Sequence, residues 1–380
     1  MAFTAYDNSS DPLDHTENGI HSLVSNSRQL IDEIDWQIIG LLNQRASIAL
    51  EIGIQKQSVG SGSLSAERES EIMKKIFDLP EGPMPRLAIS HIFSEIISAC
   101  RDLQQPISVA FLGPETTFSH AVTLKRFGHS VELKPVASIA DVFQEVENGR
   151  ASFGVAPVEN SIEGGVSATM DSFVNSSLTI SGEIYASIRH TLMSSETSLS
   201  SISKIYSHPQ ALNQCRKWLN NNLPGVTLVD SSSTAEAARK ASKERSTAAI
   251  ASSLAAREFN LNVLAENVQD RSDNKTRFVI IGTTNCKPTG IDKTSIYFTS
   301  KHQSGSLCKA LSHFSRRAIN LTRIESRPLK ERPWEYSFFV DCEGHQAEPL
   351  LTECLHELSG EVEHIKILGS YPRMDPSHVI

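Results

Sequence analysis

Residues 30–56, LIDEIDWQIIGLLNQRASIALEIGIQK, decide how the N-terminal part of the chain folds. Apolar residues recur at helical spacing through Leu30, Ile34, Ile38, Leu41, Ile48 and Ile52, which predicts one helix of about 35 residues. At ~1.5 Å per residue that helix is about 50 Å long, too long for a compact three-helix monomer, so it is expected to pack against a copy of itself. The run GSGS at 60–63 breaks it, Ser65 can cap a second helix, and the stretch from Pro80 to Pro85 breaks the chain again before a third. Following the stripe in steps of three and four also reaches Arg45 and Lys56, and the third helix carries Gln104 in line with Ile89, Phe93, Ile96 and Cys100. Cations on a buried face need an anionic partner, and Glu69, Glu51 and Asp35 are the nearest candidates. The residues alone leave two readings open: snorkelling or structural ion pairs, or a cation-rich polar pocket in a helical core.

Downstream the texture changes. Residues 107–284 alternate short apolar runs (ISVAFLG, ASFGVAP, SKIYSHP, VTLVDS, AAIAS, RFVIIG) with polar loops and helical patterns, which predicts an α/β unit with a largely parallel sheet. Small polar clusters follow the runs at Pro114–His120, Val158–Ser161, His208–Gln210 and Ser232–Thr234, and Asn274–Arg277 precedes the last of them. The carboxyl ends of strands form the ligand crevice in open α/β sheets, so these clusters predict a cleft rich in hydroxyl and amide donors. Ser119 and Ser233 can cap helices whose N-termini attract carboxylates. Gly113 lacks the following glycines of a dinucleotide site, and no G-x-S-x-G hydrolase motif occurs. Residues 285–292 read as a linker, and 293–375 read as a ferredoxin-like βαββαβ unit. There Gly305 ahead of a helix lets backbone approach a ligand.

Composition narrows the partners. The chain has 380 residues, 39% hydrophobic and 21% charged, with a net charge of -8, which argues for a multidomain globular protein with no general nucleic-acid or membrane surface. An anionic substrate then needs cations gathered locally. The scattered cysteines predict reduced thiols and no metal site, and residues 1–20 read as a flexible tail with neither a signal nor a transit pattern. A cytoplasmic location is expected.

Three resemblances sharpen this reading. Arg28, Asp35, Arg45, Gly53, Lys56, Arg68-Glu69 and Gln104 keep the spacing of the all-helical chorismate mutases across residues 21–105. The resemblance implies a homodimer or higher homo-oligomer in which Arg28 enters the partner's pocket. It implies that Arg28 and Arg45 bind the two carboxylates of chorismate, with Lys56 and Gln104 at the ether oxygen, Glu69 at the ring hydroxyl, and Arg68 also in the catalytic set. GPETTFSHA, APVENSIEGGV, YSHPQALNQC, STAEAA and DNKTRFVIIG are similar to the motifs of prephenate dehydratase over 107–284. That family has two α/β lobes, periplasmic-binding-like, with the site between them. The likeness implies a site of Ser119, Glu159, Asn160, Ser161, His208, Gln210, Ser233, Thr234, Thr276, Arg277 and Phe278. In it Arg277 would anchor a carboxylate, Thr276 would bond the leaving hydroxyl, and Glu159 would serve as proton source.

Gly305-Ser306-Leu307, Asn320-Leu321 and Glu325-Ser326-Arg327-Pro328 resemble the ACT domain that follows such dehydratases, with L-phenylalanine as effector between two domains. The family pattern is departed from at Ser65, Cys100, Thr116, Ser167-Ala168 and Ser306. Together the resemblances imply a cofactor-free enzyme that takes chorismate through prephenate to phenylpyruvate. The rival readings are a dehydratase with a decayed mutase domain, and a non-catalytic amino-acid sensor.

Overall fold

The computed structural model describes residues 17–58, 66–104, 106–329, 332 and 335–376. The GSGS break, the Ser65 cap and the tail up to residue 16 lie outside the described residues, as does the side chain of Lys56.

The N-terminal part is helical: α1 (Glu17–Ser58), α2 (Ala66–Phe77) and α3 (Arg86–Gln104). Helix α1 starts inside the stretch read as a tail and is about 63 Å long, whereas α3 is about 28 Å. Most of α1 therefore has nothing among the described residues to lie on. The apolar stripe expected to be buried is open instead, with Leu30 58%, Ile34 53% and Leu41 64% exposed. What α1 turns to α3 is the neighbouring line of small residues, Ala49 and Gly53. A Cβ on Gly53 would stand 3.0 Å from Gln104 Cβ, so the glycine sets how closely the two helices approach.

The central part follows as β1 (Ser108–Leu112), α4 (Phe118–Phe127), β2 (Glu132–Val136), α5 (Ile139–Glu147), β3 (Phe153–Asn160), β4 (Gly164–Gly165), α6 (Ser167–Asn175) and β5 (Thr179–Ser187). The chain then crosses to a second lobe. That lobe is built from β6 (Thr191–Ser194), β7 (Lys204–Ser207), α7 (Pro209–Gln214), α8 (Arg216–Asn222), β8 (Thr227–Asp230), α9 (Thr234–Ala241), β9 (Thr247–Ala251), α10 (Ser253–Glu258) and β10 (Asn262–Ala265). It returns through β11 (Lys275–Gly282). The first sheet runs β2-β1-β3-β11-β5 and the second β10-β6-β9-β7-β8. Both are mixed, which corrects the largely parallel sheet expected from the sequence. The cause is the double crossing: β11 comes back from the second lobe and enters between β3 and β5, antiparallel to both. The two crossing segments bond to each other, Ile188 N to Asn274 O at 2.9 Å and Val268 N to His190 O at 3.0 Å.

The last part has β12 (Asp292–Thr299), α11 (Ser306–Arg316), β13 (Leu321–Pro328), β14 (Tyr336–Glu343), α12 (Pro349–Glu361) and β15 (His364–Pro372), with antiparallel sheet order β13-β14-β12-β15. Its helices cover one face around Phe298, Phe314 and Leu358. The other face shares a core with the first lobe, where Tyr297, Phe339, Leu368 and Tyr371 pack with Met170, Phe173, Val279 and Ile281. Among the described residues no helix is long and apolar enough to cross a membrane, and no disulfide links the six cysteines.

Candidate active sites

Between α1, α2 and α3 lies a cavity of about 580 Å³ lined by Arg45, Ile48, Ile52, Arg68, Glu69, Cys100, Arg101 and Gln104, among others. Arg45 is half-buried and donates from Nη1 to Ile96 O at 3.4 Å. The cation on the apolar stripe thus faces the cavity, not open solvent. Arg68 is exposed and pairs with Glu71 at 2.7 Å. Arg28 stands about 25 Å back along α1, exposed and outside this cavity. Of the three candidate carboxylates, Glu51 and Asp35 are exposed and Glu69 lines the cavity. Its oxygens are held by two residues the sequence reading missed, Arg101 at 2.6 Å and Arg126 of α4 at 2.7 Å. Burial pushes the Glu69 carboxyl up; the Arg126 and Arg101 guanidiniums outweigh this and hold it below the usual carboxylate range.

The second site forms where the end of β3 lies beside the start of β11. Register pairs Thr276 with Asn160 and Arg277 with Glu159. Asn160 Nδ2 donates to Thr276 Oγ1 at 2.8 Å and to Asn274 Oδ1 at 2.9 Å. The Thr276 hydroxyl accepts from the amide and keeps its own proton free to donate. Ser161 stitches the loop, accepting from Lys275 N at 2.9 Å and donating to Asp273 O at 3.2 Å. From the second lobe, His208 caps α7, and Gln210 and Gln214 reach across to Glu163. Gln214 also ties His190 (2.8 Å) to Asn274 (3.0 Å). Ser233 caps α9 as expected, with Thr234 as the first residue of that helix. The cap of α4 is Thr117, so Ser119 stands one turn position inside, buried.

Alternation along β11 corrects three of the assignments. Successive side chains of a strand point to opposite faces. Phe278 is 2% exposed, in the core beneath the cleft with Val155 and Ile280, and is not a substrate contact. Arg277 points to the C-terminal sheet. Its Nε donates to Glu183 at 2.8 Å, its Nη2 to Tyr371 at 2.8 Å and its Nη1 to Asp341 at 2.5 Å. That guanidinium is spent on protein groups and cannot anchor a substrate carboxylate in this arrangement. Glu159, paired with Arg277 in the register, turns the same way, 3.8 Å from Arg277 and 3.4 Å from Arg323. It stands on the face opposite Thr276 and is not a proton source for the cleft. Lys293 completes the buried cluster, 2.7 Å from Glu183. Burial pushes the Asp341 carboxyl up, but the Arg277 and Arg323 guanidiniums hold it below its ordinary range.

Thr116, where the family pattern has glycine, adopts φ +66° and is buried. Its carbonyl accepts from Ser252 of the second lobe at 2.7 Å, while its hydroxyl has no partner among the described residues. A β-branched residue in the left-handed region costs about 1–2 kcal/mol, and glycine returns about 0.5–1 kcal/mol of that as chain entropy. Thr116→Gly is therefore expected to raise stability by up to about 1 kcal/mol. Urea unfolding with an unchanged m-value is the measurement; a destabilised variant would show that the side chain's packing outweighs its strain.

In the C-terminal unit Gly305 has φ +82° at the start of α11 and borders a cavity of about 360 Å³ with Ser306, Leu307, Tyr336 and Phe338. Strand β13 divides the Glu325–Pro328 stretch. Ser326 and Pro328 pair with Phe338 and Tyr336 beside that cavity, whereas Glu325 and Arg327 face the first lobe. Glu325 packs on Gly165 and pairs with Arg323, and Arg327 lies 3.2 Å from Asp171. Asn320 is exposed, and its carbonyl accepts from Glu343 N, while Leu321 packs into the helix-side core. The regulatory residues read from the sequence thus fall on two faces of one sheet.

Comparison with known proteins finds both domains. The chorismate mutase type II family matches residues 27–105 and the prephenate dehydratase family residues 109–286. A bifunctional chorismate mutase/prephenate dehydratase of Aquifex aeolicus is 47% identical over 91% of this chain and 97% of its own length. The protein of that name from Stutzerimonas stutzeri is 44% identical over 91% and 96%. The solved prephenate dehydratase of Arthrobacter aurescens, in complex with L-Phe, superposes with a TM-score of 0.67 at 33% identity, covering 71% of this chain and 91% of that one. Matched nearly end to end by relatives that carry both domains, the chain belongs to the family of bifunctional chorismate mutase/prephenate dehydratases.

Proposed function

We propose that residues 21–105 rearrange chorismate to prephenate and that residues 107–284 convert prephenate to phenylpyruvate, on the route to L-phenylalanine. Residues 293–375 serve as an ACT domain answering L-phenylalanine. The observation that carries this reading is a cavity lined by Arg45, Arg68, Arg101, Glu69 and Gln104, on the same chain as the Thr276–Asn160 pair. The first reaction is unimolecular: it needs a dianion folded into a chair and donors at the breaking C–O bond, which Arg45, Lys56 and Gln104 supply. The second expels CO₂ and a ring hydroxyl together, and a Thr276 proton freed by the Asn160 amide suits the departing oxygen. Gly305, Ser306 and Leu307, with Ser326 and Pro328 alongside, make the effector surface. Glu325 and Arg327 connect that surface to the first lobe. The open stripe of α1 is the face a second copy would cover, bringing its Arg28 to the cavity, and the enzyme works in the cytoplasm.

Purified protein given chorismate is expected to release phenylpyruvate. Arg45→Ala is expected to slow chorismate consumption by about a hundredfold or more while prephenate is still consumed. No turnover of either substrate by the unmodified protein would favour an amino-acid sensor. Prephenate turnover alone would mean a decayed mutase.

A further inference from the structure

Helix α4 belongs to the dehydratase fold, yet each of its ends serves a different site. Its first turn, capped by Thr117 and carrying Ser119 and His120, adjoins Thr116, which meets the second lobe, and its last turn reaches Glu69, which lines the helical cavity. There Arg126 Nη1 donates to Glu69 Oε2 at 2.7 Å, and Arg101 Nη1 donates to Glu69 Oε1 at 2.6 Å. The turn is fixed from α3: Arg101 Nη2 donates to Phe127 O at 2.9 Å, and Ser98 donates to the same carbonyl. Both guanidiniums also lie 5.5 Å from the centre of the Phe127 ring.

These groups are not a surface decoration. The side chains of Arg101, Glu69 and Arg126 are 5%, 15% and 21% exposed, where screening by water is weak. A buried Arg-Glu-Arg cluster is poor evidence for stability in itself, since desolvation offsets the attraction. What gives this one a role is that Glu69 lines the cavity. An ionised carboxylate offers about four acceptor positions. Two guanidiniums occupy part of that capacity and leave the rest to a ligand in the cavity.

We infer that Arg126, supplied by the dehydratase domain, is a positioning residue of the mutase site, orienting the Glu69 carboxylate to accept a hydrogen bond from a hydroxyl of the bound substrate. The inference rests on the mutase reading of the cavity. The mutase active site of this chain then extends beyond its three helices. The charged groups around Glu69 are Arg101 from α3 with Asp102 beside it, Arg126 from α4, Arg45 from α1 and Arg68 of its own helix, with the Glu95–His129 pair flanking the end of α4.

The test uses the full chain with Arg126→Gln, Arg126→Lys and Glu69→Gln, each measured on chorismate and on prephenate across acid to neutral pH. Arg126→Gln is expected to lower mutase kcat/KM about ten- to hundredfold, the range of one charge-assisted hydrogen bond. It should also move the acid limb of the mutase profile to higher pH, because Glu69 loses a cation that favours its ionised form. Arg126→Lys should recover most of the loss. Prephenate turnover should hold, which reports an intact fold. Arg126→Gln with unchanged mutase rate and profile, beside an impaired Glu69→Gln, would overturn the inference and leave the mutase reading standing. A fully active Glu69→Gln would also overturn the inference, since the carboxylate would have no part in the reaction, whereas an unmodified chain that left chorismate untouched would overturn the mutase reading itself. Equal loss of the two activities in Arg126→Gln would reduce the contact to a domain clamp and also overturn it.

Discussion

Arg277→Met is expected to cost about 3–5 kcal/mol of folding stability, as breaking a buried ion pair by removing one partner does. The guanidinium sits among Glu183, Asp341 and Tyr371, all buried, and its loss strands Asp341 without the 2.5 Å bond that offsets its desolvation. Lys293 still compensates Glu183 at 2.7 Å, so the uncompensated charge falls on Asp341. Denaturant unfolding measures the loss, and adding Asp341→Asn to the variant should recover part of it. The pH dependence has a definite sign. Asp341 in the folded protein is held below its ordinary range, so its contribution is complete above the unfolded value of about 4 and is lost as pH falls through the folded one. In Arg277→Met the part of that depression owed to Arg277 is lost, Arg323 and the Ser295 hydroxyl remaining, and the gap between the two proteins should narrow on acidification. A gap that stayed constant with pH, or a loss below about 1 kcal/mol, would mean that the cluster is not maintained by this cation.

Thr276→Val is expected to reduce prephenate turnover by about a hundred- to a thousandfold, the usual effect of removing one donor aimed at developing negative charge. Valine keeps the β-branched shape that suits β11, and Asn160 Nδ2 retains Asn274 Oδ1 at 2.9 Å and Lys275 O at 3.3 Å. The structural change is confined to one hydroxyl. Chorismate consumption in the same protein should be unaltered, since Thr276 is remote from the lining of the helical cavity. Parallel assays with the two substrates decide the matter. A Thr276→Val protein that consumed prephenate at the normal rate would remove the hydroxyl from the chemistry.

Much of the architecture was readable because it depends on local pattern. The long helix, the βαββαβ order and the polar ends of β3 and β11 follow from periodicity and from where the small polar residues cluster. The mixed sheets were not readable, because the direction of β11 depends on the chain crossing between lobes twice. Helix α1 shows a subtler miss. The stripe through Ile48 and Ile52 is the more hydrophobic one, but Ala49 and Gly53 meet α3, since close helix approach favours small side chains over greasy ones. The Arg277 and Glu159 misassignments share one cause. A motif presents consecutive residues as a single site, whereas a strand sends them to opposite faces. Arg101 and Arg126 each stand in the last turn of a helix, where a cation is ordinarily explained by the helix dipole. Nothing in the linear pattern marks them as partners of Glu69, which lies 32 and 57 positions away in the chain.

The shared core between the first lobe and the final sheet bears on how the polypeptide matures during synthesis. Arg277 donates to the Asp341 carboxylate and the Tyr371 hydroxyl, both of which leave the ribosome after it. Until β14 and β15 have docked, the back of β11 leaves Arg277 with only the carboxylates of its own lobe, chiefly Glu183 of β5, beside the uncovered Val279 and Ile281. The first lobe therefore reaches its final packing only after β14 and β15, which follow it in the chain, have been made.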